Sequence, residues 1–190
     1  MRDRYCRTVG RGQTSVCSDR ATRLVLVLAL GASMFVYLGC ATRGFSPEGA
    51  RGARVTDGLD VADPARRASI RLVVEGLEAD QQGALRRAQG SYERAIQVDP
   101  TNPYAYLALA RHHLDGGDPF EASNFIDQAA ALFEAEGLRS PGVNAHLIGL
   151  RGWAFEARGR GPEAGLYTER AAALAPEVWG DGYLAPGELR

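Results

Sequence analysis

The chain has 190 residues, 22 basic and 23 acidic side chains, and a formal net charge of −1 at neutral pH. All of the basic residues are arginine, and residues 40–190 alone carry 16 arginines and 21 acids, a net charge of −5. This balance argues against nucleic-acid binding, which needs a basic face. The length suits one domain of modest size.

The first 39 residues have the pattern of a secretory signal. Six arginines precede an apolar run from Leu24 to Leu38, which is followed by Gly39 and Cys40. The run has 15 residues, whereas a helix needs about 20 apolar residues to cross a bilayer. A positive start and a short apolar run are typical of a cleaved signal peptide. An uncleaved anchor helix is the alternative, and in both cases the arginines favour placing the rest of the chain outside the cytoplasm.

Residues 1–39 and the cysteine that follows them resemble a bacterial lipoprotein precursor, whose signal peptide is cut before a cysteine that carries the lipid. Cys6 and Cys17 lie in the part that would be removed, so Cys40 would have no partner for an internal disulfide. The resemblance implies a membrane anchor of acyl chains such as palmitate on Cys40, with the domain in the periplasm. Ala41 is not acidic, which favours the outer membrane.

Residues 40–62 show no apolar periodicity and are rich in Gly, Pro, Arg and Asp. Such a segment buries too little apolar surface to offset the entropy lost on ordering. We therefore predict a flexible tether over these residues, with a reach of roughly 25 Å from the membrane anchor.

Small residues then recur with a fixed period. Five positions repeat after 34 residues and again after a further 42, as if eight residues had been inserted before the third unit. The three sets are Gly76, Gly83, Ala88, Ala95 and Pro100; Ala110, Gly117, Ala122, Ala129 and Glu134; and Gly152, Gly159, Ala164, Ala171 and Pro176. From about Ile70 to Pro176 the chain resembles the tetratricopeptide repeat family, whose period is 34 residues.

The resemblance implies an all-α fold, a short right-handed α-solenoid of about three helix hairpins. Cap-and-proline pairs open the helices, as in Asn102-Pro103 and Asp118-Pro119. The predicted divisions are a signal peptide at 1–39, a tether at 40–62, a repeat domain at 63–176 and a C-terminal capping tail at 177–190. Within the repeat domain the units fall at about 69–102, 103–136 and 145–178, with an insertion at 137–144.

The tail is predicted to cap the last repeat. A stack leaves one side of its last helix uncovered, which here exposes Leu166, Tyr167 and Leu174. We expect Val178, Trp179, Tyr183 and Leu184 to fold back onto that helix. The alternative is a tail that docks into a partner and is loose in the isolated protein.

The sequence contains no recognisable pattern of catalytic or metal-binding residues. His112 and His113 are adjacent, so they point about 100° apart on a helix and cannot readily share a metal ion. No phosphate-binding loop or activated nucleophile is recognisable, and we predict no metal, no cofactor and no small-molecule substrate. An enzyme is the least favoured class of function.

A partner groove is predicted from helical spacing on the first helix of each unit. Side chains of these helices face the concave side of such stacks, and the stripe contains aromatic residues and an arginine, which are enriched at binding hot spots. The groove residues are Val73, Leu77, Tyr104, Leu107, Arg111, His146 and Trp153. Two alternatives stay open: these side chains fill the core of a short stack, or they form a surface without a ligand.

The sequence therefore predicts a membrane-anchored lipoprotein adaptor that binds a protein or peptide partner during envelope assembly. Resemblance to tetratricopeptide lipoproteins implies roles such as pilus or secretin assembly. The rival hypothesis is a permanent structural subunit of a larger envelope complex, with no ligand groove.

The lipid anchor can be tested at Cys40. We expect Cys40→Ala to abolish acylation and to leave unprocessed precursor in the membrane, because the modified thiol is gone. Metabolic labelling with a clickable fatty acid measures this. Equal labelling of the wild type and the variant would contradict a lipidated Cys40.

Overall fold

The computed structural model describes residues 53–60 and 63–190, and within them the regular structure is helical. Six long helices form three hairpins, preceded by a short 3-10 helix and followed by two helices of four residues. The elements are the 3-10 helix Val55–Asp60, α1 Pro64–Gln81, α2 Leu85–Val98, α3 Pro103–Asp115, α4 Pro119–Ala135, α5 Pro141–Ala157, α6 Gly161–Leu174, α7 Pro176–Trp179 and α8 Pro186–Leu189. The predicted all-α solenoid of three hairpins is confirmed.

Each hairpin turns at a glycine of the repeating set. Gly83, Gly117 and Gly159 have φ angles of 70°, 79° and 74°. This left-handed region is open to glycine but costly for residues with a Cβ atom. The glycines therefore recur because the three turns share one backbone conformation.

The other small residues recur because the two helices of each hairpin approach closely. A Cβ atom on Gly76 would lie 2.3 Å from the ring of Tyr92 on the facing helix. In the third hairpin a Cβ atom on Gly152 would lie 3.0 Å from the side chains of Tyr167 and Thr168. Side chains at these two glycines would force the helices of their hairpins apart.

The eight extra residues of the third unit extend two helices instead of forming a separate loop. By the repeat period Leu132 corresponds to the last residue of α2, Val98, yet α4 continues to Ala135. Likewise, Ala145 corresponds to Pro103, yet α5 already begins at Pro141. Residues 141–144 of the predicted insertion thus form the first turn of α5.

Polar contacts join the successive hairpins. Asn102 caps α3 by accepting from Tyr104 N at 3.1 Å, and its amide nitrogen donates to Ser69 Oγ on α1 at 2.8 Å. Arg66 on α1 pairs with Asp99 in the next loop and donates to Glu136 at the end of α4, with Nη1 2.9 Å from Oε2. One arginine therefore links parts of the first and second hairpins.

The close approach inside the first hairpin can be tested with two Gly→Ala substitutions. Gly76→Ala should lower the free energy of unfolding by about 1–3 kcal/mol, because the new methyl group collides with Tyr92. Gly90→Ala, in α2, should be neutral or stabilising, because no atom lies within 4 Å of the added Cβ and alanine favours helix. Urea unfolding followed by circular dichroism measures both, and equal effects would refute the packing argument.

Candidate functional site

The first helices of the hairpins, α1, α3 and α5, pack side by side and form a surface that we call the inner face. The residues of the predicted partner groove lie on these helices. Val73, Leu77, Leu107, Arg111 and His146 have no exposed surface, Tyr104 is 9% exposed, and Trp153 is partly buried against the core. They do not form one continuous open groove: Arg111 and Trp153 border an open space, and the other five side chains are buried. Their burial matches the alternative in which they fill the stack.

Residues 176–190, which we call the C-terminal segment, form one cover of the inner face. Trp179 and Leu184 are each 1% exposed and Leu189 has no exposed surface. The indole of Trp179 lies on α5 so closely that a Cβ atom on Gly149 would be 2.4 Å from the ring. At the far end, α8 packs on α1, and Arg190 Nη1 lies 3.1 Å from Glu78 Oε1.

This placement differs from the expected cap on the last helix. The C-terminal segment folds back, but onto the inner face and as far as the first hairpin. Leu166, on the side of α6 that the cap was predicted to cover, is 70% exposed. The segment lies there because Trp179 packs on α5 at Gly149 and Arg190 pairs with Glu78 on α1.

Residues 53–60, which we call the N-terminal segment, form a second cover. They were predicted to be part of the flexible tether, but they are ordered, with Val55 fully buried. A Cβ atom on Gly58 would lie 2.8 Å from Ile70 of α1 and 3.7 Å from Tyr104 of α3. The two covers also meet, since Thr56 Oγ1 donates to the carbonyl oxygen of Arg190 at 2.7 Å.

His146 lies between the two covers and is held neutral by them. Its Nε2 is 2.9 Å from the carbonyl oxygen of Ala53, which can only accept, and its Nδ1 is 3.3 Å from the indole nitrogen of Trp179, which can only donate. Only the neutral ring with its proton on Nε2 satisfies both contacts. Burial lowers the pKa of His146 from 6.5 to about 4, although the hydrogen bond to Ala53 acts in the opposite direction.

Arg111 belongs to a buried charge cluster between the first two hairpins. Its Nη2 lies 2.6 Å from Asp115 and 3.6 Å from Asp80 on α1. Asp80 also accepts from the hydroxyl of Tyr92 at 2.9 Å and lies 2.8 Å from His112 Nδ1. Burial, reinforced by the charge of Asp80, raises the pKa of Tyr92 above its ordinary value. The cluster therefore ties α1, α2 and α3 together.

The adjacent histidines have separate structural roles. His112 is bound to Asp80, whereas His113 stacks on Phe125 with ring centroids 5.2 Å apart. Across residues 53–60 and 63–190, no three His, Cys, Asp or Glu side chains are placed to hold a metal ion.

Two open spaces are each lined by both apolar and charged side chains, which is a common composition for binding surfaces. The inner cavity, about 390 Å³, lies between the inner face and the C-terminal segment; its lining is Arg111, Asp115, Trp153, Asp181, Tyr183, Leu184, Ala185 and Pro186. The outer groove, about 690 Å³, lies between α4, α5 and α6; its lining is Ala130, Ala131, Glu134, Arg139, Asn144, Leu147, Ile148, Arg151, Tyr167, Arg170 and Leu174.

Comparison with known proteins identifies the repeat. Residues 81–139 match the family model described as tetratricopeptide repeat. The chain contains tetratricopeptide repeats. It is also 36% identical over 78 residues to cellulose synthase operon protein C of Pseudomonas fluorescens strain SBW25, an alignment that covers 36% of this chain and 6% of that protein. The chain therefore matches only a small part of the length of this curated relative, and no solved structure matches it.

The repeats indicate a role in protein–protein interaction, and the tetratricopeptide fold is typically a non-catalytic scaffold. None of the helices within residues 53–60 and 63–190 has the length and apolar character needed to cross a bilayer. The predicted signal peptide and Cys40 lie outside the described residues.

The neutral state of His146 predicts a pH dependence of stability. The pKa is about 4 in the folded protein against an ordinary 6.5, so the unfolded chain takes up the proton first as the pH falls. The free energy of unfolding should be unaffected by His146 above pH 6.5 and should fall by about 3 kcal/mol between pH 6.5 and 4.

Urea unfolding across this pH range, read by Trp179 emission in a Trp153→Phe background, measures the effect. His146→Gln is the control, because glutamine offers a donor and an acceptor but does not titrate. The loss between pH 6.5 and 4 should be smaller by about 3 kcal/mol in the control. Identical slopes in the two proteins would show that His146 is not buried in its neutral form.

Proposed function

We propose that the protein is a lipid-anchored adaptor of the bacterial cell envelope, whose repeat domain holds a partner protein close to the membrane. Two features support this. The repeats indicate protein binding, and the apolar run before Gly39-Cys40 has the pattern of a lipoprotein signal. Placement of the domain in the periplasm, with the outer membrane favoured, is part of the same proposal, as is a role in pilus or secretin assembly.

The outer groove is the observation that carries the adaptor role. It is the larger of the two open spaces, and neither residues 53–60 nor residues 176–190 line it. Its walls include apolar side chains such as Leu147, Ile148 and Tyr167. A groove of this size with apolar walls and a polar rim suits a segment of a partner protein.

The charges of the outer groove favour an acidic partner. Arg139, Arg151 and Arg170 line it together with one acid, Glu134. Arg139 pairs with Glu134 at 2.7 Å and Arg151 with Asp127 at 2.9 Å, and all four side chains are substantially exposed. Exposed ion pairs of this kind contribute little to stability, about 0–1 kcal/mol. A partner carboxylate can therefore replace Glu134 or Asp127 at small cost.

The neighbouring surface of α6 extends the groove with an exposed apolar residue. Leu166 and Arg170 are four residues apart on one side of α6, and Leu166 is 70% exposed. Leu166 therefore adds one exposed apolar side chain beside the arginine-lined groove.

Photo-crosslinking in cells tests the adaptor role. A crosslinking amino acid at Arg170 should form a discrete adduct with an envelope protein, because this position lines the outer groove. The matched control is Arg94, which is also exposed and holds the same repeat position on the first hairpin. Charge reversal by Arg151→Glu should reduce the Arg170 adduct severalfold by repelling an acidic partner.

Identical adducts at both positions, or none at Arg170, would count against the outer groove as the partner site. A single partner that stays bound at one-to-one stoichiometry through extensive dilution would favour the permanent structural subunit instead.

A further inference from the structure

The C-terminal segment lies on the inner face in the manner of a bound peptide. Its three buried side chains, Trp179, Leu184 and Leu189, are spaced five residues apart. Exposed residues separate them, among them Asp181 and Tyr183. The segment contacts α5 at one end and α1 at the other, so it crosses the first helices of the stack.

The inner face has a shaped seat for the indole of this segment. Gly149 leaves room for the ring, since a Cβ atom there would be 2.4 Å from it. His146 accepts the indole N–H of Trp179. In a separate contact between the inner face and the segment, Trp153 packs edge-on against Tyr183 with ring centroids 5.3 Å apart. The seat thus combines close apolar contact with one directional hydrogen bond, which is how a pocket selects a tryptophan.

Outside its three buried side chains, Trp179, Leu184 and Leu189, the segment is weakly held. Its helices have four residues each, and four-residue helices have little stability of their own. The ion pair between Arg190 and Glu78 at its end is exposed at 44% and 49%, respectively. Such pairs contribute little in water.

The fit beneath the segment is also incomplete. The inner cavity of about 390 Å³ opens to solvent beside the segment, where Arg111 and Trp153 of the inner face and residues 181 and 183–186 of the segment line it together. Arg111 lines this cavity, and its buried Nε has no hydrogen-bond partner among the residues that the structure describes. The chain's own segment therefore leaves one donor of Arg111 unsatisfied.

We propose that the inner face is a peptide-binding groove closed by the chain's own C-terminal segment, which a partner peptide of matching chemistry displaces. That peptide carries a tryptophan, two leucines at five-residue intervals, and a carboxylate or carbonyl group that reaches Arg111. The inference rests on the proposed adaptor function and adds to it a second binding surface and the means of its control. A tethered segment competes at an effective concentration in the millimolar range, so only strong or multivalent partners open the groove.

Hydrogen exchange on the full-length wild-type protein in detergent tests whether the segment opens by itself. Amides of residues 176–190 should exchange through an opening that leaves the amides of α3 protected, because only the segment leaves the stack. Equal protection of the segment and α3 would show that the segment is a permanent part of the core and would overturn the proposal.

Peptide binding tests the displacement. The probe is a fluorescent synthetic peptide with the sequence of residues 176–190. Full-length Trp179→Ala, whose seat is empty, should bind it about tenfold or more tightly than the wild type. Glu177→Ala, an exposed change in the same segment, should bind like the wild type, and a probe that lacks the tryptophan should bind none of them.

Equal binding by the wild type and a folded Trp179→Ala variant, or binding by neither, would refute the groove. If Trp179→Ala does not fold, the hydrogen-exchange result on the wild type decides the question. Both measurements use purified protein, so they can succeed when no cellular adduct forms at Arg170. Failure of the adaptor function and failure of this inference are therefore distinguishable.

Discussion

The contact between Trp179 and the third hairpin fixes the arrangement of the inner face. The indole can lie on α5 only because position 149 is glycine, and its N–H is satisfied only because His146 is neutral. The proton on the other nitrogen of His146 in turn binds Ala53 and orders the N-terminal segment. One aromatic ring thus couples both chain segments that cover the stack.

The repeat architecture was predictable because its causes are local. Gly83 recurs as Gly117 since each turn needs a left-handed residue, and Gly76 is small since Tyr92 faces it across one hairpin. Asn102 is followed by a proline at the start of a helix that it caps. Such requirements act within one unit and therefore repeat with its period.

The covers of the inner face were not predictable in the same way. Trp179 meets Gly149 across 30 positions of sequence, and nothing near either residue points to the other. The apolar residues of the tail predict its burial, but on the last helix and not on the inner face. Residues 53–60 were assigned to the tether because Val55 and Leu59 form no periodic pattern. The type of Arg111 predicts a binding residue, but it does not indicate that Nη2 pairs with Asp80 and Asp115. In each of these three examples, tertiary contacts determine where the residues lie and what they bind.

The hydrogen bond between Thr56 and the carbonyl oxygen of Arg190 brings together residues that lie 134 positions apart in the chain. These two positions are therefore close enough in space to be joined by a short linker. New ends could then be opened at the Gly117 turn, which is exposed and lies between two helices of one hairpin. A circular permutant of this kind would keep the helix packing of each hairpin. It would also join the N-terminal and C-terminal segments into one continuous segment on the inner face.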